Sequence, residues 1–528
     1  MTLPCGQGTN PPIVDPVRST ANLSLLHLYD PSTAPGGTVR FKRVLAHIAS
    51  RLDGWPMFRL RLQQSSLVPD ARWVEDEHFD LEDHVHHIAL PHPGDWRQFC
   101  IQVSRLHARA LDQGRPLWEV YVIEGLDGMA DLPAGSFCLM FKTQLAAATV
   151  AQASELTRLL HDAEASPPAP PPPPPWFPAP APGPLRAALR GAGRALGSPL
   201  QLAAPAWRRF ARWDPTTAAL AADRGPQRHA AQATRFNAVV SPYRVFESRR
   251  FAQDELDRIC RRVDGATIDD LVIAVCGGAL MRYLHDKAEL PANGLWARVP
   301  NALTGSGRAA TAATADADAD ADARFGDGAV PSGGWQCVPL GHALADPVGR
   351  LARIRDHRRG AEGSAAAAGQ PPPAGLAARA SAAARAWVQR SSGRPPLSAQ
   401  AAAPMAHCTI VPVPMPEAPL FLCGARMVWS SALLPLADGS GLAFAVSRCE
   451  GHLVVSATSC RELMPDPALM GRALADSFDE YRALATAAAR RRRPGRSAQA
   501  TAGAAAPLEA PLKANASTPR PRRSARSG

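Results

Sequence analysis

Histidine sets the first limit on what this chain can catalyse, because imidazole takes up a proton near neutral pH and also binds metals as a neutral ligand. His84 and His86 stand two residues apart, so on a strand they share one face, as two ligands of a single metal would. No cysteine or carboxylate cluster at ligand spacing completes the set, so His84, His86 and His87 are expected to be structural. His107, in Arg105–Leu106–His107, and His407 are the other candidates for a general base; packing inside the fold is the ordinary alternative for each. Ser447 and Cys449 have no base spaced to activate them, which argues against a Ser or Cys hydrolase. The 10 cysteines include no C-x-x-C pair and no zinc-like Cys/His spacing, so no metal is expected and the chain reads as reduced.

These side chains need a frame, and hydrophobic periodicity supplies one in two blocks, 13–162 and 234–486. In the first, strands are expected at Leu23–Tyr29, Trp73–Asp76, His84–Leu90, Trp118–Glu124 and Phe137–Lys142, with helices over Gly36–Leu52 and Trp96–Leu111 and an Ala-rich helix ending at Leu160. In the second, helices are expected over Gln253–Val263, from a cap at Thr267 to about His285, and over Pro467–Leu484. Its strands are expected at Leu295–Val299, Gln336–Leu340, His407–Val413, Gly441–Val446 and His452–Ser459. Two α/β layers of similar plan imply a pseudo-duplicated sandwich with a cleft between its halves.

The remaining segments read as spacers. Residues 1–12 are an N-terminal extension with neither a basic n-region nor an apolar h-region, so no signal peptide is expected. Residues 163–233 form a linker around the proline run Pro167–Pro184, in which Leu185–Leu202 could carry a short basic helix. Ala309–Ala323 alternates Ala with Thr or Asp and reads as an exposed insertion. From Ala487 to Gly528 ten Lys/Arg face only Glu509, so that tail carries +9 of the chain's +11. The body is therefore nearly neutral, and a general nucleic-acid-binding surface is not indicated. The tail's charge fits an anionic membrane or nucleic acid, and equally a solvated segment. The longest apolar run, Leu271–Met281, is too short to span a bilayer, and a cytoplasmic protein is expected.

Several ordered segments together resemble the bacterial wax ester synthase/diacylglycerol acyltransferase family. They are Trp73-Val-Glu-Asp-Glu-His-Phe-Asp-Leu81, Leu90-Pro-His-Pro-Gly94, Arg115-Pro-Leu-Trp-Glu-Val120 and Thr267-Ile-Asp-Asp-Leu-Val-Ile-Ala-Val-Cys-Gly-Gly-Ala-Leu280. Weaker echoes follow at Val338–Leu340, Ala345–Pro347, Leu420–Ala425 and Pro435–Leu436. The resemblance implies two chloramphenicol-acetyltransferase-like α/β domains with a tunnel between them. It implies acyl transfer from acyl-CoA, a co-substrate with no further cofactor, to a fatty alcohol or diacylglycerol, making wax ester or triacylglycerol. It also suggests that Trp118 shapes the tunnel or packs in the core, and that Asp269 and Asp270 order the cleft or complement the helix dipole. A polybasic tail beside such a tunnel would suit peripheral contact with the inner membrane or lipid bodies.

Members of that family carry His-His-x-x-x-Asp-Gly after a strand of the first domain, and the second histidine is the base that deprotonates the acceptor hydroxyl. Here those positions read Gln144, Leu145, Thr149 and Val150. Neither Gln144 nor Leu145 is a base at any ordinary pH. The family's Asp is held by an arginine in a Pro-Val-Ser-x-Arg-like stretch; the matching residues, Pro300-Asn-Ala-Leu-Thr304, contain none. Losing both partners leaves no single charge buried without its mate. A further Asn-Val-Pro-Gly-Pro-like stretch reads Pro412-Val-Pro-Met-Pro416. The resemblance therefore implies a folded relative whose catalysis is weakened or lost; the alternative is a non-catalytic binder of acyl chains or CoA esters, or a partner of an active acyltransferase.

Overall fold

Strand β2 (Asn22–Asp30) shows how the frame is specified. Leu23, Leu25 and Tyr29 enter one hydrophobic cluster, while Leu26 and Leu28 enter another. A strand apolar on both faces has to be central, covered on each side. In the computed structural model the described residues are 3–4, 20–64, 71–168, 176–178, 232–261, 265–300, 335–341, 344, 346–367 and 406–491. Most of the linker, the 309–323 insertion, residues 301–304 and nearly all of the tail lie outside them.

The first half contains β1 (Leu3–Pro4), β2, α1 (Phe41–Ala49), β3 (Leu60–Gln64), β4 (Ala71–Glu75), β5 (Val85–Ala89), α2 (Trp96–Ala108), β6 (Trp118–Glu124), β7 (Phe137–Gln144) and α3 (Ala153–Leu160). The second runs β8 (Arg244–Ala252), α4 (Gln253–Cys260), α5 (Ile268–Asp286), β9 (Leu295–Pro300), β10 (Trp335–Gly341), α6 (Pro347–Ala367), β11 (Cys408–Pro412), β12 (Phe421–Leu422), β13 (Ala425–Leu433), β14 (Leu442–Cys449), β15 (His452–Cys460) and α7 (Pro467–Arg491). They build two mixed six-stranded sheets, ordered β12-β13-β2-β7-β6-β5 and β10-β9-β11-β14-β15-β8, and a small β1-β4-β3 sheet. Both large sheets belong to Met1–Ala485, and the chain's other unit is Thr486–Gly528.

The halves are joined through strand pairing as well as helix packing. β13 leaves the second sheet's run of sequence and pairs antiparallel with β2, from Arg426 opposite Asp30 to Leu433 opposite Ser24. Helix α2 bridges them from the other side. An Asp95/Gln98 capping box starts it, Phe99, Val103 and Leu106 seat it on the first sheet, and Trp96 Nε1 donates to Glu247 of β8 at 2.7 Å. Helix α5 is buried nearly all round, as a core helix must be. Its Gly278 is where Arg350 of α6 and Ser477 of α7 close in; a Cβ there would overlap Ser477 Oγ.

Helix α1 is shorter than the expected Gly36–Leu52. Gly36 and Gly37 take positive φ, and Pro35–Gly37 forms a separate 3-10 turn, so the regular helix starts only at Phe41.

Candidate functional site

The end of β7 is the candidate site. Antiparallel pairing sets Lys142 opposite Ser24 on one side and Glu119 on the other, with Gln144 opposite Asn22. These side chains therefore share the sheet face that α2 covers. Gln144 ends the strand: its backbone N–H donates to Leu117 O at 3.2 Å, and its Nε2 donates to Thr20 O at 3.3 Å. The chain then turns sharply, with Ala147 and Ala148 N–H both donating to Gln144 O. Leu145, tied to Ala21 O through its backbone N–H at 3.0 Å, packs its partly buried side chain against the larger hydrophobic cluster, as does Val150. Thr149 closes the turn. Gln152 Oε1 accepts from its N–H at 2.9 Å and from its Oγ1 at 3.2 Å, which starts the short 3-10 turn leading into α3.

The polar face behind this turn is sealed. His107 is 1% exposed; its Nδ1 lies 2.8 Å from Ser24 Oγ, and it also bonds the backbone of Leu434. Burial first, then the charges of Arg244 and Lys142, depress its pKa to about 3. Asn22 Nδ2 donates to the carbonyls of His107 and Arg109, each at 2.8 Å, so the end of α2 is pinned to β2. Lys142 is fully buried and bonds Glu119 at 3.0 Å; burial lowers its pKa, with Glu119 opposing. Tyr121 donates to the same Glu119 oxygen at 2.7 Å.

The other sequence candidates are similarly committed to the fold. His407 Nδ1 accepts from Trp296 N–H at 3.0 Å and its Nε2 donates to Gln232 O at 2.9 Å. Trp118 is 1% exposed, donates through Nε1 to Phe58 O at 2.9 Å and stacks on His84 and Phe141. Asp270 accepts from Thr267 N–H at 2.9 Å and Oγ1 at 2.7 Å, and from Arg358 Nη1 at 2.7 Å. Arg358 Nη2 stands 3.4 Å from Asp269, so the acidic pair fastens the start of α5 to α6. His86 faces the Tyr121 ring, and His87 lies 3.1 Å from Glu124. Among the described residues no group of three His, Cys, Asp or Glu is placed to hold a metal, and no helix is long and apolar enough to cross a membrane.

Sequence reasoning missed a buried polar chain that reaches Met415 of the Pro412–Pro416 stretch. Tyr29 Oη donates to His161 Nε2 at 2.5 Å, and His161 Nδ1 donates to Thr157 O at 2.5 Å. His27 lies between Ser430 Oγ, at 3.2 Å, and Thr157 Oγ1, at 3.4 Å, and Met415 sulfur accepts from Ser430 at 3.3 Å. Burial lowers the pKa of both histidines, that of His161 to about 4. The cluster joins β2, α3 and β13, elements far apart in sequence, so no local signal marks it.

Comparison with known proteins follows from this geometry. Residues 14–272 match the model for the wax ester synthase/diacylglycerol acyltransferase catalytic domain, and 334–482 match that for the C-terminal domain of the same proteins. A Mycobacterium bovis protein named as a diacylglycerol O-acyltransferase is 30% identical over 463 residues, covering 85% of each chain. A Mycobacterium tuberculosis protein of the same designation is 29% identical over 479 residues, 85% of this chain and 83% of its own. The solved wax ester synthase/diacylglycerol acyltransferase from Marinobacter aquaeolei VT8 shares the α/β fold, with a TM-score of 0.60 and 21% identity over 89% of this chain and 96% of that one.

Proposed function

Since the chain belongs to the wax ester synthase/diacylglycerol acyltransferase family, we propose that it binds an acyl-CoA and a fatty alcohol or diacylglycerol between its halves but transfers the acyl group weakly or not at all. The supporting observation is Leu145, which by the spacing of the sequence stands where the family carries its proton-accepting histidine and whose partly buried side chain packs against the core. Attack on a thioester by an alcohol needs a group that removes the hydroxyl proton as the C–O bond forms. Loss of such a base costs about 10²–10⁴-fold. His107 does not supply it: its Nδ1 is bonded to Ser24 and the ring to Leu434, with a pKa near 3, far below what a base at neutral pH needs. What persists is a frame for substrate, fitting a binder of acyl chains or CoA esters or a partner of an active acyltransferase. The ten Lys/Arg after Ala487 suit, by charge alone, contact with an anionic membrane or lipid-body surface.

Acyl transfer from labelled palmitoyl-CoA to hexadecanol or dioleoylglycerol, with acyl-CoA binding followed by calorimetry on the same preparation, tests this reading. Binding with little or no product supports it. Absence of binding would remove it.

A further inference from the structure

A seam between the halves carries polar groups that the protein itself does not satisfy. Helix α2 meets β8 along one stripe. Trp96 donates to Glu247 at one end, burial and then the Glu247 charge raise the Cys100 thiol pKa, and Arg244 acts on His107 at the other end. Ser104 stands one turn beyond Cys100 on the same face. Strand β13 flanks this stripe: the Trp429 ring lies 5.4 Å from that of Trp96, and the backbone of Leu434, just past the strand's end, bonds His107. From Trp96 to His107 a helix rises about 17 Å, and from Trp429 to Leu434 a strand advances about 17 Å. The two therefore run side by side, with Ser431 level with the Cys100–Ser104 turn.

Three donors face this seam. Trp429 and Ser431 stand opposite Leu28 and Leu26, on the sheet face whose cluster includes Phe99 of α2 and Phe246 of β8. Among the described residues Trp429 Nε1, Ser431 Oγ and Ser104 Oγ are buried with no hydrogen-bond partner. Ser431 is 1% exposed and Ser104 3%. Donors buried to this extent are ordinarily met by an acceptor, and here the protein supplies none. Trp96 and Trp429 are half-buried, and the Arg250 guanidinium lies 5.5 Å over the Trp429 ring with its side chain 30% exposed. One end of the seam thus reaches solvent with a cation at its rim. The other stops at His107, whose carbonyl accepts from Asn22, the residue opposite Gln144.

The donors decide what the seam suits. A hydrocarbon chain has no acceptor and would leave all three unsatisfied. Coenzyme A reaches its thioester through a pantetheine arm, a narrow chain with two amide carbonyls and a hydroxyl, and carries its phosphates at the far end. The side chains midway along the seam, Cys100, Ser104 and Ser431, are small, as a narrow arm requires. Building on the reading that this chain binds an acyl-CoA, we propose that the pantetheine arm lies along the seam, with Ser431 and Ser104 donating to its amide carbonyls. Trp429 Nε1 and Arg250 then stand at the mouth, on the side where the phosphates remain, and the thioester is led towards the end of β7.

Calorimetry on the full-length protein with palmitoyl-CoA, palmitoyl-pantetheine and free palmitate tests the assignment. Ser104→Ala/Ser431→Ala removes two hydroxyls that make no internal bond, so its melting temperature should match that of wild type. It should bind both thioesters about tenfold more weakly and palmitate as wild type does. No binding of palmitoyl-CoA by wild type would remove the acyl-CoA reading and this assignment together. Binding by wild type with equal thioester affinity in the variant, as when the hydroxyls hold only water, would overturn this assignment alone. A loss of palmitate affinity equal to the thioester loss would also overturn it, because palmitate has no amide for the serines to bind.

Discussion

His107 Nδ1 and Ser24 Oγ stand 2.8 Å apart in the interior, the separation of a nucleophile and its base, yet the pair works as a strut. The ring's further bond to the Leu434 backbone ties α2, β2 and the end of β13 together. His107→Leu would leave Ser24 Oγ without its partner and uncover a backbone acceptor, costing about 1–3 kcal/mol. Chemical denaturation should show that loss while acyl-CoA affinity in the folded protein stays unchanged. Wild-type stability with a large drop in acyl transfer would instead mark His107 as the base.

Mild acid should destabilise the protein. The folded pKa values of His107, about 3, and His161, about 4, lie below the unfolded value near 6.5, chiefly through burial. Above about pH 6.5 both states are neutral and the shift contributes nothing; below it the unfolded chain takes up the protons first, so stability falls with pH until the folded pKa values are reached. His27, also lowered well below its ordinary value by burial, adds in the same direction. Between pH 7 and 5 the loss is roughly 2 kcal/mol for each such histidine, at 1.36 kcal/mol per unit. A melting temperature that stays level over this range would contradict these protonation states.

Much of this frame was legible in the sequence. Trp118–Glu124 is a strand over the residues expected, and Phe137–Lys142 extends only to Gln144, because apolar residues in short runs bounded by turn residues specify strands locally. Thr267 caps α5 as expected. Strand β13 was not anticipated. Its sequence, ARMVWSSAL, lacks clean alternation, and what makes it a strand is pairing with β2 at the opposite end of the chain. Edge strand β8, RVFESRRFA, hides behind its charges, of which Glu247 and Arg249 bond each other at 2.6 Å.

The site was half legible. Residue types such as Gln144 and Leu145 are read directly, whereas the closure of His107 and His407 depends on distances between elements remote in sequence. One signal was present and unused: Thr149-x-x-Gln152 is a capping-box pattern. Thr149 caps the helical turn Val150–Gln152.

The Arg358–Asp270 pair is 7% and 4% exposed at its side chains, so removing Arg358 leaves the buried Asp270 charge answered only by the Thr267 hydrogen bonds. Arg358→Met should cost about 3–5 kcal/mol, with Asp270→Asn/Arg358→Met recovering part of the loss. Thermal unfolding of the single and double variants reads this directly. Single variants that keep wild-type stability but lose acyl-CoA binding would place Asp270 at the ligand instead.

Gly278→Ala should destabilise by about 1–3 kcal/mol, because the added methyl meets Ser477 Oγ and Arg350 where α5 touches its neighbours. Urea denaturation of the variant beside wild type checks the value. Unchanged stability would mean that α5 is not held that closely.

Acyl transfer by the wild-type chain, measured beside Gln144→His/Leu145→His, tests the central claim most directly. Purified protein is given labelled palmitoyl-CoA with hexadecanol or dioleoylglycerol, and ester is counted against a no-enzyme control. The expected result is acyl-CoA binding by both proteins, ester at or near background from wild type, and any gain confined to the variant that regains a base at the end of β7. Ester well above background from the wild-type chain would contradict the account, because a proton acceptor that neither Gln144 nor Leu145 supplies would then have to act.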